Sequence, residues 1–214
     1  MHVMTLTAKA EATRRTILDT GHRLVLGRGF TGLGLQEILK ESGVPKGSFY
    51  HYFPSKEAFG CALLADYVET YAARLEELTE GGGTGKDRLM RYWHAWMSDP
   101  SRPDGRGWGE ECLVVKLGAE VADLSDDMRR VLSNGVERVT GRLAAMIGEA
   151  RADGSLPPGA EAAGLAQVLY QMWLGAALLA RLSRDKGPMR HALGATERLL
   201  LCEPEDLSGK GHRP

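Results

Sequence analysis

The sequence predicts an all-α chain of nine helices, three short ones followed by six longer ones. Two observations carry this. Apolar residues recur at helical spacing through nearly every segment, and Gly and Pro gather at the breaks between segments, not inside them. A third observation divides the chain: the run GGGTG at 81–85 is its clearest linker. With 214 residues the chain is long enough for one small module and one larger one.

The first helix is expected over 11–26, with Ile17, Leu18, Leu24 and Val25 inward and Gly27 and Gly29 ending it. The second, 35–42, has Leu35, Ile38 and Leu39 at core spacing, and Gly43 is placed to turn the chain with positive φ. Pro45 pre-sets φ for the first turn of the third, 45–53, which Pro54 stops. Ser55 then has the chemistry of an N-cap for a long fourth helix reaching about 79. A fifth helix over 86–98 is followed by a loop, 98–109, and an apolar periodic sixth over 110–121. Ser125 caps the seventh, which runs to 152 with Asp126 and Asp127 favourable at its positive end. After DGSLPPG come the last two, 160–184 and 188–202, and a polar tail expected to fray.

Bulk composition narrows the function. Hydrophobic residues are 43% of the chain, and no stretch of 18 is uniformly apolar, so a soluble protein is expected. The first residues lack the apolar run of a secretory signal, which points to the cytoplasm. Cys61, Cys112 and Cys202 form no CxxC and no Cys/His cluster, so neither a zinc site nor a disulfide framework is expected, and no cofactor. The net charge of −1 hides an asymmetry. Residues 1–60 hold eight Lys/Arg against five Asp/Glu, +3; the rest hold 19 against 23, −4. A basic head on an acidic body suits a protein that meets phosphates at one end.

The segment 46–53, KGSFYHYF, explains the basic end. Wound as a helix, Phe49 and Phe53 share one face and bury. The remaining faces show Lys46, Gly47, Ser48, Tyr50, His51 and Tyr52, where an ordinary surface helix carries Glu, Lys and Ala. A DNA groove gives such residues partners: hydroxyls to phosphates, rings to sugars and thymine methyls, and a glycine for close backbone approach. The bland alternative packs Tyr50 and Tyr52 on the neighbouring long helix. With the preceding helix and turn, the segment completes a helix-turn-helix whose second helix enters the major groove.

The stretch 29–59, GFTGLGLQEILKESGVPKGSFYHYFPSKEAF, resembles the TetR repressor family. The resemblance implies an N-terminal three-helix helix-turn-helix domain over 1–55, a C-terminal six-helix sensing and dimerisation domain over 56–204, and a flexible tail over 205–214. It implies groove contacts from Gln36, Pro45, Lys46, Gly47, Ser48, Tyr50 and His51, and phosphate contacts from Tyr52 and Lys56. One departure stands out: Leu33-Gly34 replaces the hydroxyl pair that usually caps the second helix. Thr31 is the substitute cap, or the amides there are left for a phosphate.

In the body, CLVVKLGAEVADLSDDMR (112–129) and LYQMWLGAALLARL (169–182) look like the subgroup of the N-ethylmaleimide reductase repressor. That likeness implies a repressor that leaves DNA when an electrophile or oxidant modifies the thiol here numbered Cys112, with Arg181 as a candidate cation beside it. The residues give a mixed reading of their own. A helix start favours thiolate, Glu110 and Glu111 oppose it, and Lys116 is placed to offset them. A buried structural cysteine is the ordinary alternative. Trp93, Trp96, Trp108, Met128, Tyr170 and Trp173 are candidates to line a pocket with Arg181, which supports a second possibility, a repressor induced by a non-covalent ligand. The helix over 160–184 is apolar around most of its circumference, so it needs covering on all sides. A partner subunit supplies that cover, pairing the last two helices into a four-helix bundle for a palindromic operator. His22, His51, His94 and His191 make no catalytic pattern with the cysteines, so an enzyme is not expected.

Overall fold

The computed structural model describes residues 8–202, and the expected tail over 205–214 lies outside them. Ten helices occupy the described residues: α1 (Ala8–Arg28), α2 (Leu35–Ser42), α3 (Lys46–Tyr52), α4 (Lys56–Thr79), α5 (Gly85–Met97), α6 (Trp108–Glu111), α7 (Leu113–Leu124), α8 (Asp126–Ala152), α9 (Ala162–Ser183) and α10 (Gly187–Leu201). The extra helix comes from a break. The segment expected as one helix over 110–121 is two, α6 and α7, interrupted at Cys112. The described residues form two compact units, residues 8–71 with 116–135, and 72–115 with 136–202. The division falls inside α4, α7 and α8.

The first unit closes around phenylalanines. Phe49, Phe53 and Phe59 meet with ring centroids 5.3–5.5 Å apart, and Ile17, Val25, Leu33, Ile38 and Leu64 complete a fully buried core. Gly43 ends α2 with φ 66°, and its N–H returns to the Leu39 and Lys40 carbonyls as a left-handed cap does. Ser55 Oγ accepts the Ala58 N–H at 2.9 Å and Ser125 Oγ accepts the Met128 N–H at 3.2 Å, the two hydroxyl caps expected for α4 and α8. Three expectations need correction. Pro45 is the residue before α3, with ψ 147°, and not its first helical residue. Thr31 does not cap α2; Gly34 occupies that position with no side-chain hydrogen bond. Leu24 and Leu35 are only half-buried.

The second unit packs α5, α6, α9 and α10 around aromatic rings. Trp93 lies against Trp173 at 4.9 Å with planes 15° apart, and Trp96 meets both edge-on or tilted. All three are fully buried, and the Trp173 indole donates to Thr196 Oγ1 at 2.9 Å. Thr84 and Asp87 form a reciprocal cap at the start of α5. Along α9, Leu165, Leu169, Trp173 and Ala177 face inward, while Val168, Leu178, Leu179 and Leu182 are exposed. By length and composition α9 is apolar enough to cross a membrane, with 39% of its most apolar window buried in this chain.

Candidate functional site

α3 is held by one buried side chain and displays the rest. Phe49 is fully buried, whereas Lys46, Gly47, Tyr50 and His51 are exposed and Ser48 and Tyr52 half-buried. Tyr50 is 43% exposed with the Lys46 ammonium 6.0 Å from its ring centre. Tyr52 sits edge-on to His51 at 5.1 Å. The alternative in which Tyr50 packs away on a long helix is therefore not what this unit adopts. Gln36 and Pro45 are exposed as well, and Lys56 is half-buried with its ammonium 5.0 Å over the Phe30 ring.

Gly47 is informative because nothing inside the chain requires it. A Cβ built there meets no atom within 4 Å, and its φ lies outside the left-handed range. A glycine inside a helix costs up to about 1 kcal/mol relative to alanine. Its presence at an open, exposed position therefore points outward, to a surface that approaches the backbone. A basic residue, a glycine, hydroxyls and an imidazole on one short exposed helix match the chemistry of a DNA groove.

The second candidate is Cys112. It links α6 to α7, is 2% exposed, and occupies the position just before the first residue of α7. The positive end of a helix favours a thiolate there. The two carboxylates before it are both engaged: Glu111 pairs with Arg102, and Glu110 accepts from Lys186 Nζ at 2.9 Å. Their repulsion is offset by Arg102 and Lys186, which the sequence pattern did not single out. Lys116, expected in that role, bears electrostatically on Glu120 in the first unit. Burial, then negative charge on Cys112 and Tyr92, holds the Tyr170 phenol far above its ordinary pKa, so Tyr170 stays neutral beside the thiol. At Cys61, burial, then Asp127 and Glu57, push the thiol up and so disfavour its thiolate. None of Cys61, Cys112 and Cys202 is in a disulfide.

The residues expected to line a pocket separate into two groups. Trp93, Trp96, Trp108, Tyr170 and Trp173 pack on one another as core and do not line either cavity described here. Arg181 does line one, a cavity of about 400 Å³ in the second unit shared with Arg106, Glu110, Arg184, Lys186 and Met189. Its guanidinium lies 3.5 Å from the Glu110 carbonyl. Met128 lines a different cavity, about 250 Å³, with Phe30 and Lys56 in the first unit.

The loop before α6 is anchored by Asp99, which neither motif nor spacing marked. Its buried carboxylate accepts the Ser101 N–H and hydroxyl at 2.9 and 2.7 Å, Arg74 Nη2 at 2.6 Å and the Trp108 indole N–H at 2.7 Å. Burial works against its charge, but these donors prevail and hold its pKa at about 2.

Comparison with known proteins agrees with this geometry. Residues 17–59 match the family described as bacterial regulatory proteins, tetR family, and residues 85–196 match the tetracyclin repressor-like C-terminal domain. The chain is 43% identical over 189 residues to the HTH-type transcriptional repressor NemR of Escherichia coli K12, covering 88% of this chain and 94% of that protein. It is 34% identical over 182 residues to the transcriptional regulator AcuR of Cereibacter sphaeroides, covering 84% and 81%. The solved structure titled E. coli NemR, reduced form, superposes with a TM-score of 0.79 at 44% identity, covering 88% of this chain and 97% of that one. The chain belongs to the TetR family of bacterial regulatory proteins.

Proposed function

We propose that this chain is a thiol-gated repressor: a homodimer that holds a palindromic operator while Cys112 is reduced and releases it when an electrophile or oxidant modifies that thiol. The observation that carries the reading is the setting of Cys112, at a break between helices, ahead of the positive end of α7, with both neighbouring carboxylates paired to cations. The relative whose structure is titled as a reduced form supports a redox-dependent state in a protein 44% identical. DNA contact falls to Gln36, Pro45, Lys46, Gly47, Ser48, Tyr50 and His51 in the groove, and to Tyr52 and Lys56 on phosphates. Dimerisation falls to α9 and α10, where Val168, Leu178, Leu179, Leu182, Leu199 and Leu201 are exposed on a single chain. An apolar face of this extent is ordinarily covered. Such a regulator works in the cytoplasm, where DNA is and where thiols stay reduced until challenged.

The cavity beside Arg181 favours a second reading, in which a non-covalent ligand is the inducer. One experiment separates them: binding to the DNA upstream of the protein's own gene, before and after stoichiometric N-ethylmaleimide, for the wild type and Cys112→Ser. The thiol-gated reading expects release of the wild type and retention of the serine variant. An equal response from both makes Cys112 a bystander and moves the search to the cavity.

A further inference from the structure

The turn between α1 and α2 is held by a carboxylate from far along the chain. Glu120 lies on α7, and its two oxygens accept the backbone N–H groups of Phe30, at 3.1 Å, and of Thr31. Gly29, with φ 77°, makes room for it: a Cβ there would lie 2.8 Å from Glu120 Oε2. The Phe30 ring is buried, and Gly60 lets it seat, since a Cβ at Gly60 would come 2.6 Å from that ring and 2.8 Å from Met128. Burial raises the pKa of Glu120, but the hydrogen bonds from Thr31 and Phe30 and the nearby Lys116 charge bring it below the ordinary value, so the group is ionised at neutral pH.

This turn is where the DNA-binding pair begins. α2 starts at Leu35 with no side-chain cap on Gly34, so local chemistry does little to fix its first turn. The other end of α7 is Leu113, next to Cys112. Glu120 follows Cys112 by only eight positions of sequence, and the seven residues between them lie in α7. Two hydrogen bonds from rigid backbone donors tolerate only small displacements of their acceptor before they weaken.

We propose that Glu120 is a positioning residue for operator binding: it fixes the turn from which α2 and α3 depart, and it is the point at which a movement of α7 reaches them. The second half rests on the thiol-gated reading; the first half does not.

The test uses the full chain with Glu120→Gln and, as a second route to the same contact, Gly29→Ala, which pushes a methyl against the carboxylate. Glutamine keeps one acceptor and sets an amide donor against the other N–H. Operator affinity is expected to fall about tenfold at fixed salt, the worth of one hydrogen bond to a charged group. Asp99→Asn, which removes stability from the second unit, serves as the control and is expected to bind untreated operator like the wild type. Wild-type affinity in both Glu120→Gln and Gly29→Ala, measured well below their unfolding midpoints, overturns the proposal whatever Cys112 does. N-ethylmaleimide treatment tests the relay, which expects a smaller fold-loss of affinity in Glu120→Gln than in the wild type. An equal fold-loss in the two overturns the relay. If Cys112→Ser releases as the wild type does, the thiol reading fails, and the affinity arm still decides the positioning role.

Discussion

Replacing Asp99 by asparagine removes the charge on which four hydrogen bonds converge, and the size of the effect follows from the carboxylate's titration. Its pKa is about 2 in the folded protein against an ordinary 3.8, nearly two pH units, or about 2 kcal/mol of preference for the folded state. Because the folded value is the lower one, this stabilisation is fully present above the unfolded pKa and is lost as pH falls through 3.8 toward 2. Asparagine keeps the shape and one acceptor but turns an amide donor toward Arg74, Ser101 or Trp108. We expect Asp99→Asn to cost about 2–3 kcal/mol at pH 7, lowering Tm by roughly 5–10 °C for a chain of this size. Urea unfolding from pH 7 to pH 3 checks it: the gap between variant and wild type holds down to about pH 5 and narrows below 4. A gap under about 0.5 kcal/mol at pH 7, or one that widens with acid, refutes the reasoning. The same variant also loosens the loop that carries Arg102 to Glu111, next to Cys112. Maleimide labelling of Cys112 in the folded protein should therefore quicken, by at most the factor of about 30 that 2 kcal/mol allows.

Two further outcomes follow from the exposed faces. Gly47→Ala is expected to raise stability by about 0.5–1 kcal/mol, since the methyl meets nothing and the helix gains propensity, while weakening operator binding by about 1–3 kcal/mol. Melting and operator titration together check it, and unchanged affinity sinks the claim that the Gly47 backbone meets DNA. Leu182→Glu places a charge on a side chain that is 73% exposed on the single chain and belongs to the proposed dimer face. Sedimentation should then show the 23.3 kDa monomer at micromolar concentration, and operator affinity should fall at least about a hundredfold as one half-site is lost. A stable dimer would move the interface elsewhere.

How much of this was readable beforehand depended on how local the deciding contact was. α2 appears over the residues expected, because Gly43 and the apolar spacing of Ile38 and Leu39 lie within it. The Ser55 and Ser125 caps were equally legible, since a hydroxyl cap reaches only three residues ahead. The break at Cys112 was not. Apolar spacing runs straight through 110–121, and the side chains that engage the flank of the break come from Arg102 in the loop and from Lys186, 76 residues past Glu110. Glu120 was invisible for the same reason: a lone glutamate on a helix reads as a solvated charge until Phe30 and Thr31, about 90 residues away, are brought to it. The tryptophans failed differently. Composition cannot tell rings that line a space from rings that fill one, and Trp93 stacked on Trp173 fills it.

The burial of Cys112 bears on the kind of signal a thiol gate here would answer. At 2% exposure the sulfur reacts only through an opening, so its rate is the product of an opening equilibrium and the reactivity of the exposed thiolate. The helix start and the paired glutamates act on the second factor, and the Asp99 anchor on the first. Separating the two has a functional consequence. A thiol that is reactive but covered is spared by large or dilute oxidants and is reached by small electrophiles that enter a narrow, brief opening. In the thiol-gated reading, an adduct would add volume at a sulfur that is almost wholly buried. In that reading the opened arrangement would persist, and the added volume would displace whatever begins beside the sulfur. What begins there is α7, the helix that carries Glu120 to the turn before α2. In the thiol-gated reading, burial would turn a small covalent change at Cys112 into a displacement of the start of α7.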